Sequence, residues 1–250
     1  MKMLAIGNSF SQDATHYLAQ IANAQNVEMK VVNLYIGGCN LERHWKNICE
    51  NISEYLLEVD GNSMEKYVSI KDALDMEDWD IIVTQQASHD SGLIETYEPY
   101  LSNICDYLRK EKPNAKLYLQ ETWAYESDSM HPGFVNYNQS QAEMYEKLRE
   151  AYYSEAKKNN LEIIPCGDII QKLRAVEPFI YGHGGMSICR DGFHMNVIYG
   201  RYLLAATWYK TFTGNKLSEN DYVPKTNLAP NAICDTKVLN VVKQIVDAYC

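Results

Sequence analysis

The sequence predicts an α/β protein in which a parallel sheet of about five strands lies between two layers of helices, a three-layer α/β/α sandwich. Short apolar runs bounded by turn residues alternate with longer amphipathic stretches, as strands and helices do in parallel sheets. The short runs are apolar at successive positions, which indicates a sheet that is covered on both faces. We expect a flavodoxin-like strand order with right-handed crossovers.

Each predicted element follows from one of these two patterns. Five apolar runs are predicted to be strands, namely Lys2–Ile6, Met29–Leu34, Trp79–Thr84, Ala115–Leu119 and Leu161–Ile164. Six amphipathic stretches are predicted to be helices, namely Asp13–Ala24, Tyr97–Lys110, Gln139–Asn159, Asp168–Arg174, Val197–Phe212 and Asp235–Tyr249. In the first of them, apolar or small residues recur at the spacing that keeps one helix face on a sheet.

Three segments are less regular, namely Ser53–Lys71, Glu121–Asn138 and Pro178–Arg190. Sites in α/β proteins are built on loops at the ends of regular elements, so these segments are predicted to form pocket walls. The last helix, Asp235–Tyr249, carries a valine-rich stripe and is predicted to pack on the sheet rather than on a partner molecule.

The composition predicts one globular domain, residues 1–250, with no affinity for polyanions. The chain has 23 Lys and Arg against 33 Asp and Glu, a net charge of −10, and no basic cluster offsets this locally. Nucleic acids and anionic membranes are therefore disfavoured as partners. Hydrophobic residues make up 46% and the mean hydropathy is −0.38, which excludes a membrane-spanning bundle.

The cysteines and the N-terminus bear on location. Seven cysteines are spread along the chain without CxxC pairs, and an odd number cannot all pair, so reduced, mostly buried thiols are favoured over a disulfide or metal framework. The first apolar run stops at polar Gly7-Asn8-Ser9, where a signal peptide would continue. A cytoplasmic location is predicted, or secretion if the chain was trimmed before Met1. The sequence has no glycine-rich phosphate-binding motif, and its histidines lack the spacing that is typical of metal ligands. No cofactor and no metal are therefore predicted.

A serine stands where the first predicted strand gives way to the first helix. Ser9 follows Gly7-Asn8 directly after the apolar strand, at the carboxyl edge of the expected sheet. Backbone N–H groups at such a junction can stabilise negative charge on a bound carbonyl oxygen. The alternative is that Ser9 or Ser11 only caps the helix.

A candidate pair of catalytic residues lies near the other end of the chain. Asp191 and His194 are three residues apart in a loop that precedes a long apolar helix. A carboxylate can fix the imidazole tautomer while the other ring nitrogen takes a proton from a serine. An Asp at a turn and a His at a helix start would explain the same spacing without chemistry. The combination with Ser9 favours the catalytic interpretation.

Together these residues resemble the SGNH (GDSL-like) serine hydrolases, in a branch described only as a domain of unknown function. Ile6–Ser11 is similar to the first motif block of that family, Val31–Gly38 to its second, and Asp191–His194 to its fifth, over roughly residues 1–200. The resemblance implies that Ser9 is the nucleophile, that Asp191 and His194 complete a triad, and that the N–H groups of Ser9 and Gly38 form an oxyanion hole.

The third motif block departs from the family pattern. Where the family has Gly-x-Asn-Asp, with the Asn side chain in the oxyanion hole, this chain reads Gln85-Gln86-Ala87-Ser88-His89-Asp90. A glutamine amide can donate the same hydrogen bond, so Gln85 is the first candidate and Gln86 the second. Adjacent strand residues face opposite sides, so only one of the two is expected to face the pocket. His89 is a third candidate, because an imidazole also donates.

The favoured function is a serine esterase that hydrolyses a small acyl ester of a small molecule or carbohydrate, with acetyl esters of sugars as the leading example. The preference for sugar esters rests on the resemblance and on the glutamine. One alternative is an inactive module of the same fold that binds a glycan or an acylated metabolite, and another is an acyltransferase. Trp123 and Tyr125 follow the fourth predicted strand. They either stack on a sugar ring or pack their loop onto the body.

Overall fold

The computed structural model describes residues 1–225 and 232–250. The strands in these ranges are β1 (Lys2–Gly7), β2 (Lys30–Tyr35), β3 (Tyr55–Val59), β4 (Asn62–Val68), β5 (Ile81–Thr84), β6 (Lys116–Gln120) and β7 (Glu162–Ile164). The α-helices are α1 (Ser9–Thr15), α2 (Leu18–Ala24), α3 (Leu41–Cys49), α4 (Ile70–Asp75), α5 (Tyr100–Glu111), α6 (Gln141–Lys158), α7 (Cys166–Leu173), α8 (Tyr199–Thr213) and α9 (Thr236–Tyr249). Short 3₁₀ turns cover Ile94–Thr96, Pro132–Tyr137 and Leu217–Glu219.

The strands form one mostly parallel sheet in the order β4-β3-β2-β1-β5-β6-β7. The pairs β1–β2, β1–β5, β5–β6 and β6–β7 are parallel. The five parallel strands have the predicted flavodoxin-like order, and the predicted α/β class is confirmed. The central parallel strands β1, β2 and β5 are almost wholly buried, in line with their continuous apolar runs.

Two further strands correct the predicted number of five. The segment Ser53–Lys71, predicted to be irregular, contains the antiparallel hairpin β3–β4 beside β2. Most of β4 faces solvent, so it lacks the apolar run that marked the other strands. The turn is Asp60-Gly61, and both residues have positive φ, +49° and +81°. Asp-Gly between two strands is a hairpin signal that the apolar pattern alone does not show.

The first predicted helix, Asp13–Ala24, is two helices in the structure. Asn8 caps α1, because its side-chain oxygen accepts a hydrogen bond from Phe10 N, and the helix therefore starts four residues earlier than predicted. The chain turns at His16 and Tyr17 before α2 begins. Tyr17 leaves the helical path while its hydroxyl donates to Val197 O at 2.8 Å.

Helices cover both faces of the sheet. The strand order reverses at β1, so right-handed crossovers place α1 and α2 on one face and α3 to α6 on the other. α3 packs on α4 and α5, whereas α1 and α2 pack on α8. The prediction that the last helix packs on the sheet is wrong, because α9 packs on α7, α8 and the turn at Leu217–Glu219. Its buried apolar residues are Leu239, Val242 and Val246.

The cysteines are all free thiols in the structure, and four of the seven are buried. No helix in the described ranges combines the length and apolar character needed to cross a membrane.

A buried histidine in α3 makes stability depend on pH. His44 is fully buried, with Nδ1 2.8 Å from the hydroxyl of Tyr55. Burial, and then the Arg43 charge, lower its pKa to about 3. The unfolded chain binds this proton near pH 6.5, so unfolding takes up a proton between pH 6.5 and 3 and stability falls as the pH falls.

We expect this histidine alone to lower the free energy of unfolding by about 2 kcal/mol between pH 7 and pH 5. Urea unfolding at the two pH values measures the drop. In His44→Gln, which cannot titrate, the drop should be about 2 kcal/mol smaller than in wild type. The exposed His183 provides the control, since His183→Ala should leave the drop unchanged. An equal drop in wild type and His44→Gln would contradict this account.

Candidate active site

The turn after β1 places Ser9 at the carboxyl edge of the sheet. Ser9 is the first residue of α1, and the cap is Asn8, so the proposal that Ser9 only caps the helix is not what the structure shows. The Ser11 hydroxyl, which has one proton to donate, lies 2.9 Å from Asn8 O and 2.8 Å from Asn33 Oδ1. A Cβ on Gly7 would lie 2.5 Å from Ser11 Oγ, so only glycine allows the turn to be this tight.

The structure brings Ser9, His194 and Asp191 together in one hydrogen-bonded chain. His194 Nε2 lies 2.8 Å from Ser9 Oγ, and His194 Nδ1 lies 2.7 Å from Asp191 Oδ2. The other carboxylate oxygen of Asp191 accepts from the backbone N–H of His194 at 2.7 Å. Partial burial acts to raise the pKa of Asp191, but the hydrogen bonds from His194 outweigh it and hold the pKa below its usual value. Asp191 is therefore an anion at neutral pH.

A buried ion cluster fixes the loop that carries Asp191 and His194. Asp13 in α1 is fully buried and accepts from Arg201 Nε at 2.8 Å and from Arg190 Nη1 at 3.0 Å. It also accepts from the backbone N–H of Met195 at 3.0 Å. The loop is thus bonded on both sides of His194 to the helix that begins with Ser9. Sequence reasoning missed Asp13, Arg190 and Arg201.

Two residues after β6 hold the same loop from the other side. Trp123 is fully buried, stacks on Phe10 with ring centroids 4.0 Å apart, and donates Nε1–H to Phe193 O at 2.7 Å. The Tyr125 hydroxyl lies 2.8 Å from Ser88 Oγ, and this ring is also fully buried. Of the two alternatives for these aromatics, the structure shows the packing one.

The loop after β2 places a second backbone donor near Ser9. Gly38 has φ +62°, a conformation that favours glycine. Asn8 donates Nδ2–H to Cys39 O at 3.0 Å and so ties this loop to the turn before Ser9. Within residues 1–225 and 232–250, the N–H groups of Ser9 and Gly38 have no hydrogen-bond acceptor, and both residues line the same small pocket.

Neither predicted glutamine reaches that pocket. Gln85 is buried and donates Nε2–H to Asn8 Oδ1 at 2.7 Å, so it supports the turn before Ser9. Gln86 is also buried; its oxygen accepts from Leu41 N and Ala87 N, and its amide donates to Thr96. The placement of both amides therefore corrects the prediction that one of them faces the oxyanion hole.

The pocket over Ser9 has a volume of about 220 Å³. Its walls are formed by Asn8, Ser9, Phe10, Tyr35, Gly37, Gly38, Ser88, His89, His131, Phe193 and His194. His131 lies in Glu121–Asn138, one of the three segments predicted as pocket walls. Tyr35 ends β2 and Phe193 lies inside the Asp191–His194 motif, so position relative to the motifs could have identified both.

The imidazole of His131 has a defined tautomer. Its Nδ1 accepts from the backbone N–H of Gly133 at 3.0 Å, so the neutral ring carries its proton on Nε2. Burial, followed by the charges of His89 and His194, lowers its pKa. The ring of His131 stacks on that of His89, with centroids 6.0 Å apart. Two imidazoles besides His194 therefore line the pocket.

Comparison with known proteins places this chain in a family. A model of a domain of unknown function, DUF4886, matches residues 2–238. The chain belongs to this family. A DUF4886 protein from Bacteroides uniformis has a crystal structure with 36% identity and a TM-score of 0.89, covering 99% of this chain and 93% of that one. None of the curated proteins matches the chain.

More distant structures share the fold of this DUF4886 chain. A protein from Slackia heliotrinireducens, described as a candidate SGNH hydrolase, has 20% identity and a TM-score of 0.59, covering 85% of this chain and 98% of that one. A catalytic variant of an acetylxylan esterase from Geobacillus stearothermophilus has 12% identity and a TM-score of 0.50, covering 90% and 97%. The predicted SGNH-type fold is confirmed by these similarities.

Proposed function

We propose that the chain is a serine esterase that hydrolyses small acyl esters through an acyl-Ser9 intermediate. One observation carries the proposal, namely the continuous hydrogen-bonded chain from Ser9 through His194 to Asp191. A binding module has no need for a serine hydroxyl at 2.8 Å from an imidazole whose other nitrogen meets a carboxylate. The SGNH-type fold adds support, since it is shared with proteins described as hydrolases.

Acylation of the serine follows from this geometry. Ser9 Oγ attacks the ester carbonyl carbon while its proton passes to His194 Nε2, and the carbonyl oxygen becomes an anion. The free N–H groups of Ser9 and Gly38 donate to that oxygen. As the tetrahedral intermediate collapses, the bond to the alcohol oxygen breaks and the imidazolium returns the proton to it. Asp191 stabilises the positive charge on His194 in between.

Deacylation repeats these steps with water. His194 takes a proton from the water as its oxygen attacks the acyl carbon, and the oxyanion forms again in the same place. Collapse then breaks the bond to Ser9 Oγ, which regains the proton from His194, and the acid leaves. No group beyond this chain and water is needed to balance the reaction.

The size of the pocket supports a short acyl group. Its volume of about 220 Å³ must hold the acyl chain and part of the alcohol. Phe10 is buried and stacked on Trp123, so moving this ring to enlarge the pocket would cost packing free energy. The acetylxylan esterase with the same fold is in line with an acetyl ester of a carbohydrate, which we propose as the substrate class.

We expect kcat/KM for p-nitrophenyl acetate to exceed that for p-nitrophenyl octanoate by about tenfold or more. Forcing extra methylenes into a packed wall costs about 1–3 kcal/mol, which corresponds to this factor. Release of p-nitrophenol measures both rates, and acetylated xylo-oligosaccharides extend the assay to sugars. A higher rate with octanoate would contradict the short-acyl proposal while leaving the esterase proposal in place.

We also propose a cytoplasmic location. The buried thiols are poor nucleophiles, and burial raises the pKa of Cys39 and of Cys105 to about 12. Unpaired cysteines suit a reducing compartment. Fractionation of the source cells that recovers the chain outside the cytoplasm would contradict this location.

A further inference from the structure

We propose that the imidazole of His89 donates the third hydrogen bond to the oxyanion. The inference rests on the proposed esterase function and deepens it.

The fold places His89 at the same edge of the sheet as Ser9 and Gly38. Ser9 follows β1, which lies between β2 and β5 in the sheet. Gly38 follows β2, and His89 follows β5, so the two residues approach Ser9 from opposite sides at the carboxyl edge. All three line the same pocket together with His194. A donor after β5 therefore completes a ring of donors around the site where the oxyanion forms.

Four other polar side chains near Ser9 are engaged elsewhere. The amides of Gln85 and Gln86 donate to Asn8 and Thr96. Asn8 itself donates to Cys39 O, and the Ser88 hydroxyl is paired with a tyrosine hydroxyl.

His89 differs from these residues, because its ring is available to a ligand. Its Nε2 lies 3.6 Å from Asp90 Oδ2, beyond a normal hydrogen bond, and its side chain is 36% exposed. A ring nitrogen of His89 can therefore donate to a ligand without breaking a bond.

Neighbouring residues hold the His89 ring in place. Its ring lies 18° from parallel to the ring of His131. A Cβ on Gly133 would lie 2.4 Å from His89 Cβ, so the backbone of this loop packs directly on the histidine. The donors of an oxyanion hole act because they are fixed before the reaction, and this packing provides that order.

The test compares replacements of His89 in the full-length protein. Loss of one oxyanion donor costs about 10²–10³ in kcat in a comparable enzyme. We expect His89→Ala to lower kcat on p-nitrophenyl acetate about 100-fold with KM within about threefold of wild type. His89→Phe, which keeps a ring against His131, should show the same loss. His89→Asn, which restores a side-chain donor, should recover most of the rate.

Phosphonylation by a fluorophosphonate provides a second readout, because the phosphoryl oxygen uses the same donors. Its rate constant should fall in parallel with kcat in His89→Ala and recover in His89→Asn. Tyr35→Phe and His131→Phe each remove another side-chain donor that lines the pocket and should cost less than His89→Ala.

Three results would overturn the assignment. They are an active His89→Ala enzyme within threefold of wild type, a change confined to KM, or a larger kcat loss in Tyr35→Phe or His131→Phe. In each of these the wild-type enzyme is active, so the esterase proposal stands. A wild-type protein that neither hydrolyses esters nor reacts with the probe would overturn both proposals. If His89→Ala does not fold, as judged by circular dichroism, His89→Phe and His89→Asn decide the question.

Discussion

Replacing Ser9 with alanine is expected to abolish nearly all ester hydrolysis, with kcat on p-nitrophenyl acetate lower by about 10⁴-fold or more. The hydroxyl at 2.8 Å from His194 Nε2 is the atom that forms the acyl-enzyme, and no other hydroxyl is bonded to this imidazole in the described parts of the chain. Residual catalysis should come from the donors that hold the oxyanion.

His194→Ala should cost about as much as Ser9→Ala, and the double variant should cost little more than either. Members of a triad act as a unit, so their losses are not additive. Ser63→Ala provides the control, because Ser63 is exposed on β4 and lies outside the pocket. Additive losses in the double variant would show that the two residues act separately.

Replacing Asp13 with alanine is expected to lower the free energy of unfolding by about 3–5 kcal/mol. Arg201 is only 4% exposed, so the change leaves a buried guanidinium without its carboxylate. The backbone N–H of Met195 loses its acceptor as well. Because these bonds hold the loop of Asp191 and His194, folded Asp13→Ala protein should also lose kcat.

Urea unfolding followed by circular dichroism measures this effect. Asp13→Asn keeps an acceptor for Met195 N but removes the charge, so its loss should be smaller. The matched control is Asp75→Ala, because the Asp75–Lys71 pair has side chains that are 60% and 46% exposed. Such surface pairs contribute about 0–1 kcal/mol. A loss below about 1 kcal/mol in Asp13→Ala would show that the ion cluster does not anchor the loop.

The five parallel strands and the three triad residues were predictable, each for a local reason. Buried parallel strands are continuous apolar runs, so each of the five was visible by itself. The β3–β4 hairpin was missed because β4 faces solvent, although its Asp60-Gly61 turn carries a local signal. Ser9 and the Asp191–His194 pair were identified because each lies in a short motif.

The rest of the site depends on contacts between residues far apart in sequence. Asp13 and Arg190 are 177 residues apart, and nothing near either residue indicates that they pair. The prediction of a glutamine as the third oxyanion donor was wrong for another reason. Gln85 has the right chemistry, and only the three-dimensional structure shows that its amide is used by Asn8.

The intact mass of the protein after incubation with a fluorophosphonate at neutral pH shows whether Ser9 is an activated nucleophile. We expect one adduct on wild type, located at Ser9 by peptide mapping, and none on Ser9→Ala. His194→Ala should react much more slowly, because its serine has no base. A folded wild-type protein that gains no mass, or an adduct that persists in Ser9→Ala, would contradict the assignment of Ser9 as an activated nucleophile.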